Sequence, residues 1–360
     1  MLNNLFNKNF SIFYILILLI FCYGCTPVSQ QYFERNFPDK EYKTLLNEKK
    51  VQKSNEDNNL DTNHFMTKST MQKFIKVNIT DFSKENSLSI IPNGDYEIFV
   101  NKKLKGELIN GSEYKLGIYA GQRVVIAKQK VYDEVIYLRG KTGNEYMQIN
   151  DKKYRNNFYI GIKKNKFCVI NEVELENYLY GVIGKEINYS WNIESIKAQA
   201  VVARTFSLAN LGKFKKDGFD LCDTTASQVY GGMEAEHGKI IEAVDSTKNE
   251  VIAYDKKLAQ AFYHSSCGGH TENAENVWGE PLKYLRGISC NYCKNSPNFE
   301  WKTTLTFSDI TKACQEKGYK VGNITKIKVR RFSKSGRVRE LTLFWDESSA
   351  TIKGTEFRAL

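Results

Sequence analysis

An alanine-rich segment, residues 191–211, places the strongest constraint on the fold of this chain of 360 residues. The segment contains neither proline nor glycine and is rich in good helix formers, so it predicts a helix. Lys197 and Arg204 lie along the edge of its apolar stripe. They either extend outward to water, the default for long basic side chains, or line a polar cleft. The stripe comprises Ile193, Ile196, Ala200, Ala203, Ser207 and Leu211.

A second predicted helix, residues 172–186, ends in the carboxylate of Glu186. Helical spacing places Glu186 on the apolar face of that helix. Because water is scarce on such a face, we expect the pKa of Glu186 to be raised, as a general acid requires. The alternative is a frayed helix end, favoured by Gly181 and Gly184, at which Glu186 reaches solvent. The apolar residues of this face are Leu175, Leu179 and Val182.

The two predicted helices together resemble the signature of the stage II sporulation protein D (SpoIID) domain family. The resemblance rests on Leu-Glu-Asn-Tyr-Leu-Tyr-Gly-Val-Ile-Gly-Lys-Glu-Ile at 175–187 and on Ile-Lys-Ala-Gln-Ala-Val-Val-Ala-Arg-Thr-Phe at 196–206. It begins near Phe74 and is dense from Val173 to Trp301. Further similar blocks follow in the family's order at 223–232 (with Gln-Val-Tyr), 247–254, 261–271 and 277–279. The resemblance implies a lytic transglycosylase that cuts peptidoglycan, with Glu186 as its catalytic glutamate.

The implied reaction needs only one carboxylate, whereas ordinary glycoside hydrolysis uses two. The C6 hydroxyl of N-acetylmuramic acid attacks its own C1, and this tethering removes most of the entropic cost. Glu186 would protonate the bridging oxygen of the β-1,4 bond and then accept the hydroxyl proton, giving a 1,6-anhydro sugar. Candidates for steadying Glu186 or binding sugar hydroxyls are Lys197, Gln199, Arg204, Gln228 and Tyr230.

A cluster of cysteine and histidine residues follows the predicted catalytic region. Pairs of such ligands, with two residues between the members of each pair, suit tetrahedral zinc, and the length of chain between the pairs is normal for a structural zinc site. A disulfide from Cys267 to either later cysteine is the alternative, because the N-terminus, described next, predicts export, and oxidising surroundings favour disulfides. The resemblance favours zinc. Four ligands would make the ion structural, whereas three and a water would permit Lewis-acid chemistry. The cluster comprises His264, Cys267, His270, Cys290 and Cys293, four of which are expected to bind.

The N-terminus predicts export and a membrane anchor. Its apolar run, residues 11–23, is too short for a comfortable membrane span and has the length of a signal-peptide core. Gly24 and Cys25 then resemble a lipoprotein processing site, although Cys22 and Tyr23 are unusual there. We therefore predict a signal peptide (1–25) with lipidation of Cys25; the alternative is an uncleaved N-terminal anchor. The expected location is extracytoplasmic, and Cys168, Cys222 and Cys314 are expected to be buried or free thiols.

The remaining pattern predicts an α+β fold. Residues 26–73 are rich in Asn, Lys, Glu and Gln, as in a polar flexible tether. One SpoIID-like domain, 74–360, is expected to follow: a β-rich part (74–170), a catalytic core (171–303) with a helix near 235–246 and a hairpin near 250–263, and C-terminal strands (304–360). A helix is also expected at 306–317. The chain stops near a Gly-x-x-Phe-Arg segment, after which family members usually continue.

The net charge of +11 suits a protein that meets anionic lipids and wall polymers. Nucleic acid is a poor alternative partner, because the chain carries an export signal and no recognisable binding motif. Three functions follow from the sequence. The first is a lytic transglycosylase. The second is a non-catalytic wall-binding module that enhances a cell-wall amidase, and the third is a lipid-anchored scaffold without activity.

Overall fold

The computed structural model describes residues 65–66, 74–121, 123–126, 130–132 and 135–360. The predicted signal peptide, including Cys25, and most of the predicted tether lie outside these residues. In the part of the chain that is described, no helix is both long and apolar enough to span a membrane. The chain divides after Phe262 into two compact units, here called the N-terminal unit and the C-terminal unit (Tyr263–Leu360). The division falls inside the range predicted as the catalytic core.

Two largely antiparallel sheets form the scaffold of the N-terminal unit. One has the strand order β14-β2-β13-β12-β9-β4-β5, and the other has the order β11-β10-β3-β6-β7-β8. Buried side chains from both sheets and from the helices join in one hydrophobic core. The strands are β1 (Phe65–Met66), β2 (Phe74–Ile79), β3 (Ser87–Asn93), β4 (Tyr96–Val100), β5 (Lys103–Leu108), β6 (Tyr114–Tyr119), β7 (Arg123–Ile126), β8 (Lys130–Tyr132), β9 (Ile136–Gly140), β10 (Tyr146–Ile149), β11 (Lys152–Arg155), β12 (Asn157–Lys163), β13 (Lys166–Glu174), β14 (Leu221–Cys222), β15 (Ile252–Tyr254) and β16 (Lys257–Leu258).

Alternation of apolar and polar residues explains why strands form in the part of the chain predicted to be β-rich. In β2, Ile75, Val77 and Ile79 are buried while the residues between them face outward. The central strand β13 pairs with β12 on one side and with β2 on the other. Because β13 continues directly into the first helix, this sheet fixes where that helix begins.

Three helices follow β13: α1 (Leu175–Glu186), α2 (Ile193–Ala209) and α3 (Gly238–Ser246). The prediction of a helix from residue 172 was wrong for three residues, because Glu172, Val173 and Glu174 pair with β2. The prediction for 191–211 is confirmed to within two residues at each end. Asn192 caps α2 by accepting a hydrogen bond from the Glu194 N–H at 2.8 Å.

A small hairpin, β15 with β16, follows α3 as predicted, although its strands are shorter than expected. Its turn residues, Asp255 and Lys256, both have positive φ (49° and 61°), as a two-residue hairpin turn requires. Strand β1 pairs with β15. This short strand lies within the range predicted as a tether.

The C-terminal unit contains a three-stranded antiparallel meander and one longer helix. The meander has the order β17-β18-β19, and its core includes Ile310, Leu341 and Leu343. A capping box formed by Thr306 and Asp309 starts the helix that the sequence predicted at 306–317. The elements are α4 (Ala274–Val277), α5 (Phe307–Glu316), β17 (Lys326–Phe332), β18 (Val338–Trp345), β19 (Ser348–Lys353) and α6 (Gly354–Arg358). Strand-rich and helical parts coexist in the chain, so the α+β prediction is confirmed.

Candidate functional site

Glu186 is the last residue of α1 and is half-buried. Its Oε1 accepts a hydrogen bond from the backbone N–H of Val229 at 3.3 Å. The negative end of the helix dipole disfavours a charge at this position, whereas the N–H donor favours the ionised carboxylate.

Two glycines of α1 allow close contact with the loop that follows Val229. A Cβ atom at Gly184 would lie 1.9 Å from the carbonyl oxygen of Ala235, and one at Gly181 would lie 2.6 Å from the Tyr230 ring. The helix stays closed to its end, because the Ile187 N–H donates to the Ile183 carbonyl at 3.0 Å. The end of α1 is therefore not frayed, although Glu186 still reaches solvent in part. These glycines are required for packing.

Gln228 and Tyr230 flank Val229, and both side chains are buried. Gln228 Oε1 accepts a hydrogen bond from Ser207 Oγ at 2.8 Å, which attaches the segment to α2. The Tyr230 hydroxyl donates to Asn171 Oδ1 at 3.0 Å, which attaches the segment to β13. These contacts hold the backbone that carries the Val229 N–H, so the two side chains position the partner of Glu186.

Arg204 departs from the sequence-based expectation. Its side chain is 1 % exposed and makes a bidentate ion pair with Glu176, with Nε–Oε1 and Nη2–Oε2 distances of 3.0 and 2.7 Å. It also donates to the carbonyl oxygens of Val244 and Glu250 at 3.1 and 3.2 Å. The guanidinium therefore neither extends into solvent nor is accessible to a sugar. It links α1, α2 and the end of α3.

Lys197 and Gln199, the other two candidates on α2, are both half-buried. Lys197 pairs with Glu194 one turn earlier, at 2.9 Å, which is the outward arrangement expected of a basic side chain. Gln199 Nε2 is buried and has no hydrogen-bond partner among the described residues. A buried amide donor without a partner is costly, so Gln199 retains an unused capacity to bind a ligand or water.

Asp223 was not recognised in the sequence as a titrating group. Burial raises its pKa to about 7, although hydrogen bonds from the Thr80 N–H and hydroxyl, at 3.0 and 2.8 Å, oppose the shift. Its own carbonyl accepts the Tyr230 N–H at 3.2 Å. Asp223 thus begins the segment that ends near Glu186. The spacing of residues in the sequence could not reveal the surroundings of Asp223, because its partner Thr80 lies 143 positions away along the chain.

Three sulfur atoms meet in the C-terminal unit. Those of Cys267, Cys290 and Cys293 lie within 4.8 Å of one another. The Cys290–Cys293 and Cys267–Cys293 separations are 3.8 and 3.3 Å, and all three cysteines are free thiols. A disulfide would need about 2.05 Å between sulfur atoms. Thiolates around one tetrahedral zinc ion, each at about 2.3 Å from it, would lie about 3.8 Å apart.

The chemistry of this donor set fits a metal ion. The backbone N–H and thiol of Cys267 both donate to Cys293 Sγ and lower the pKa of Cys293 to about 7, which favours a thiolate. His270 Nδ1 lies 2.6 Å from the Thr271 carbonyl oxygen, so the hydrogen bond assigns its proton to Nδ1 and leaves Nε2 as a lone pair. Among the described residues, neither His264 nor His270 joins the group of three sulfur atoms.

Comparison with known proteins places the Glu186 region in a family. Residues 163–254 match the family model described as stage II sporulation protein (SpoIID). This segment of the chain is therefore similar to the SpoIID family. The match includes α1, α2 and the Gln228–Tyr230 segment, and it ends before the cysteine cluster.

Three relatives extend the comparison beyond the SpoIID segment. An uncharacterised protein of Brachyspira hyodysenteriae is 29% identical over 275 residues, which cover 76% of this chain and 73% of that protein. The amidase enhancer of Bacillus subtilis is 34% identical over 204 residues, 55% of this chain and 27% of the relative. Stage II sporulation protein D of Bacillus amyloliquefaciens is 32% identical over 154 residues, 39% and 44% respectively. The chain therefore spans less than half the length of either Bacillus relative.

Proposed function

We propose that this chain is a peptidoglycan lytic transglycosylase in which Glu186 acts first as a general acid and then as a general base. The observation that carries the proposal is the position of Glu186. It ends helix α1 inside the family-matched segment, and it accepts one backbone N–H from a loop that is itself held by buried side chains.

The reaction needs one proton to move in each of two steps. Protonated Glu186 gives its proton to the bridging oxygen while the bond from that oxygen to C1 of N-acetylmuramic acid breaks. The C6 hydroxyl of the same sugar then bonds to C1, and the Glu186 carboxylate accepts the hydroxyl proton. The products are a 1,6-anhydro-muramic end and a free 4-hydroxyl on N-acetylglucosamine. The Val229 N–H stabilises the carboxylate between the two transfers.

Mass spectrometry of the products from purified glycan strands tests this proposal. We expect anhydro ends from the wild type and from the control Glu242→Gln, which alters an exposed glutamate on α3, but none from Glu186→Gln. Reducing ends would instead indicate hydrolysis and would exclude attack by the C6 hydroxyl. Both intact strands and strands without stem peptides should be supplied, each with zinc present.

Enhancement of a cell-wall amidase is a second candidate function. It is favoured by the similarity to the Bacillus subtilis amidase enhancer, which extends over more of this chain than the family-matched segment. The test is to add the protein to an N-acetylmuramoyl-L-alanine amidase acting on cell walls. Equal stimulation by the wild type and Glu186→Gln, with no glycan cleavage by either, would replace the transglycosylase proposal by this one.

We also propose a structural zinc ion held by Cys267, Cys290, Cys293 and one imidazole. The separations between sulfur atoms and the thiolate character of Cys293 support it. When bound, zinc would fix the conformation of the loop that carries these cysteines. Measured zinc content should be one ion per wild-type chain and per Cys168→Ser chain, but well below one for Cys267→Ser. Comparison of His264→Asn with His270→Asn identifies the fourth ligand; full zinc content in Cys267→Ser would refute the site.

The third proposal concerns location: the chain acts outside the cytoplasm, attached to a membrane through a lipid on Cys25. The lipoprotein-like sequence around Cys25 supports it. Expression of the full chain with Cys25→Ser tests the anchor. Loss of incorporation of a labelled fatty acid, with release from the membrane fraction, is the expected result. Retention in the membrane without the label would support the uncleaved-anchor alternative.

A further inference from the structure

The loop between α1 and α2 exposes two large aromatic side chains within five residues of the candidate catalytic residue. Tyr189 is 51% exposed and Trp191 is 57% exposed. Tyr189 follows Glu186 by three residues, so the two Cα atoms are at most about 11 Å apart. Exposed aromatic side chains close together in one loop are a candidate apolar patch, and patches of that kind mark binding surfaces.

The ring of Tyr189 stacks nearly parallel on the imidazole ring of His237. The ring centroids are 4.0 Å apart and the planes differ by 12°. His237 caps the N-terminus of α3, where its Nδ1 accepts the Lys239 N–H at 3.3 Å. That hydrogen bond assigns the remaining ring proton to Nε2. The stack therefore has a fixed orientation, and it combines an apolar face with one N–H donor at its edge.

The loop that carries the aromatic residues is held by hydrogen bonds. The Ser190 N–H donates to Asn188 Oδ1 at 2.9 Å, and the Trp191 N–H donates to the Asn188 carbonyl at 3.1 Å. Lys239 Nζ donates to the Trp191 carbonyl, which joins the loop to α3 a second time. A surface built in this way loses little conformational entropy when it binds a ligand.

We propose that the Tyr189–His237 stack, together with Trp191, binds a sugar ring of the glycan strand beside the bond that Glu186 cleaves. A pyranose ring presents a face of C–H groups that packs against an aromatic ring, while its hydroxyl groups remain at the edge to form hydrogen bonds. Tyr and Trp suit this contact because their rings are rigid and amphipathic. The inference rests on the proposed function, since it assigns the substrate to the same site.

Binding measured in a Glu186→Gln background, in which the strand is not cleaved, tests the subsite. The probes are peptide-free glycan strands and a soluble N-acetylglucosamine oligomer, titrated into the full chain by calorimetry. We expect Tyr189→Ala to raise Kd about tenfold, the effect of losing one stacked ring. Tyr189→Phe should stay within about twofold of the parent, because the ring is kept. Tyr119→Ala is the matched control, since Tyr119 is 55% exposed on β6 of the same unit.

The outcomes separate this proposal from the function on which it rests. Equal affinities for Tyr189→Ala and Tyr119→Ala would overturn the subsite, as would the absence of saturable binding of either probe. Saturable, Tyr189-dependent binding by a chain that never cleaves glycan would support the subsite and reject the transglycosylase reaction. Should Tyr189→Ala fail to fold, as circular dichroism would reveal, Trp191→Ala serves as the second variant and the same tenfold loss is expected.

Discussion

Arg204 on α2 and Glu176 on α1 form an ion pair with side-chain exposures of 1% and 9%. Two parallel hydrogen bonds join them, and the guanidinium is further satisfied by two backbone carbonyls. A buried pair of this kind is costly to break, because the remaining partner keeps its charge without compensation. The pair therefore holds α1, and with it Glu186, in a fixed relation to α2.

Arg204→Leu should reduce the free energy of unfolding by about 3–5 kcal/mol, because the substitution leaves Glu176 buried without its cation. The double variant Arg204→Leu/Glu176→Leu should recover part of the loss. Arg139→Leu, which removes an exposed partner of Glu97, is the control and should cost no more than about 1 kcal/mol. Urea denaturation of the full chain measures all three, and equal losses for the two single variants would contradict the interpretation.

Gly184→Ala should reduce both stability and glycan cleavage, because the added Cβ would lie 1.9 Å from the Ala235 carbonyl oxygen. The loop must move away from α1, and the Val229 N–H moves with it. Gly238→Ala is the matched control, since it adds the same atom to a helix where nothing lies within 4 Å. It should leave the unfolding midpoint unchanged or raise it. If the two variants behave alike in thermal unfolding, the close contact is not needed.

The stability of the chain should depend on pH through Asp223. Burial raises the pKa of Asp223 in the folded state to about 7, above its ordinary value of 3.8, so folding favours the protonated form. The resulting stabilisation is fully present below pH 3.8 and is lost as pH rises towards and through 7. Asp223→Asn cannot ionise, so its stability relative to the wild type should rise between pH 5 and pH 8.

Thermal unfolding at a series of pH values tests whether the stability of Asp223→Asn relative to the wild type rises with pH. Asp151→Asn, at an exposed aspartate of the same unit, should follow the wild-type pH profile. A constant difference between Asp223→Asn and the wild type from pH 5 to pH 8 would show that Asp223 does not titrate in this range.

Thr306→Ala should destabilise the C-terminal unit by about 1 kcal/mol. The Thr306 side chain accepts the Asp309 N–H at 3.1 Å, and its backbone N–H donates to Asp309 Oδ2 at 3.0 Å. The substitution removes the first of these contacts and leaves a helix N–H without a partner. Thr304→Ala, two residues earlier in the exposed segment, is the control. Hydrogen exchange in α5 reports the local effect and should increase for Thr306→Ala alone.

Local pattern was sufficient to predict the four longer helices and the strand-rich part, but not the short helices α4 and α6. Helix propensity identified α2, and alternation of apolar residues identified the β-rich part that begins at residue 74, because both signals lie within a few consecutive residues. The same signals placed Glu186 at a helix end. The start of α1 was missed, since pairing of Glu172–Glu174 with β2 depends on residues about a hundred positions away.

The surroundings of Glu186 could not be predicted for the same reason. Its donor is a backbone N–H at Val229, and backbone groups carry no sequence signal. Arg204 was expected at a polar edge because helical spacing does not reveal that Glu176, on another helix, lies opposite it. Gly181 and Gly184 indicated flexibility from propensity alone, whereas the packing of Tyr230 and Ala235 against them shows why a larger residue would not fit.

Strand β2 lies between β13 and β14 in the seven-stranded sheet, antiparallel to the first and parallel to the second. Strand β13 leads into the helix that ends at Glu186, and β14 leads into the loop that supplies the Val229 N–H. The two halves of the candidate site therefore share one neighbour that lies outside the family-matched residues 163–254. A shortened protein meant to keep both halves of this site in place therefore needs residues 74–79 in addition to the segment that matches the family.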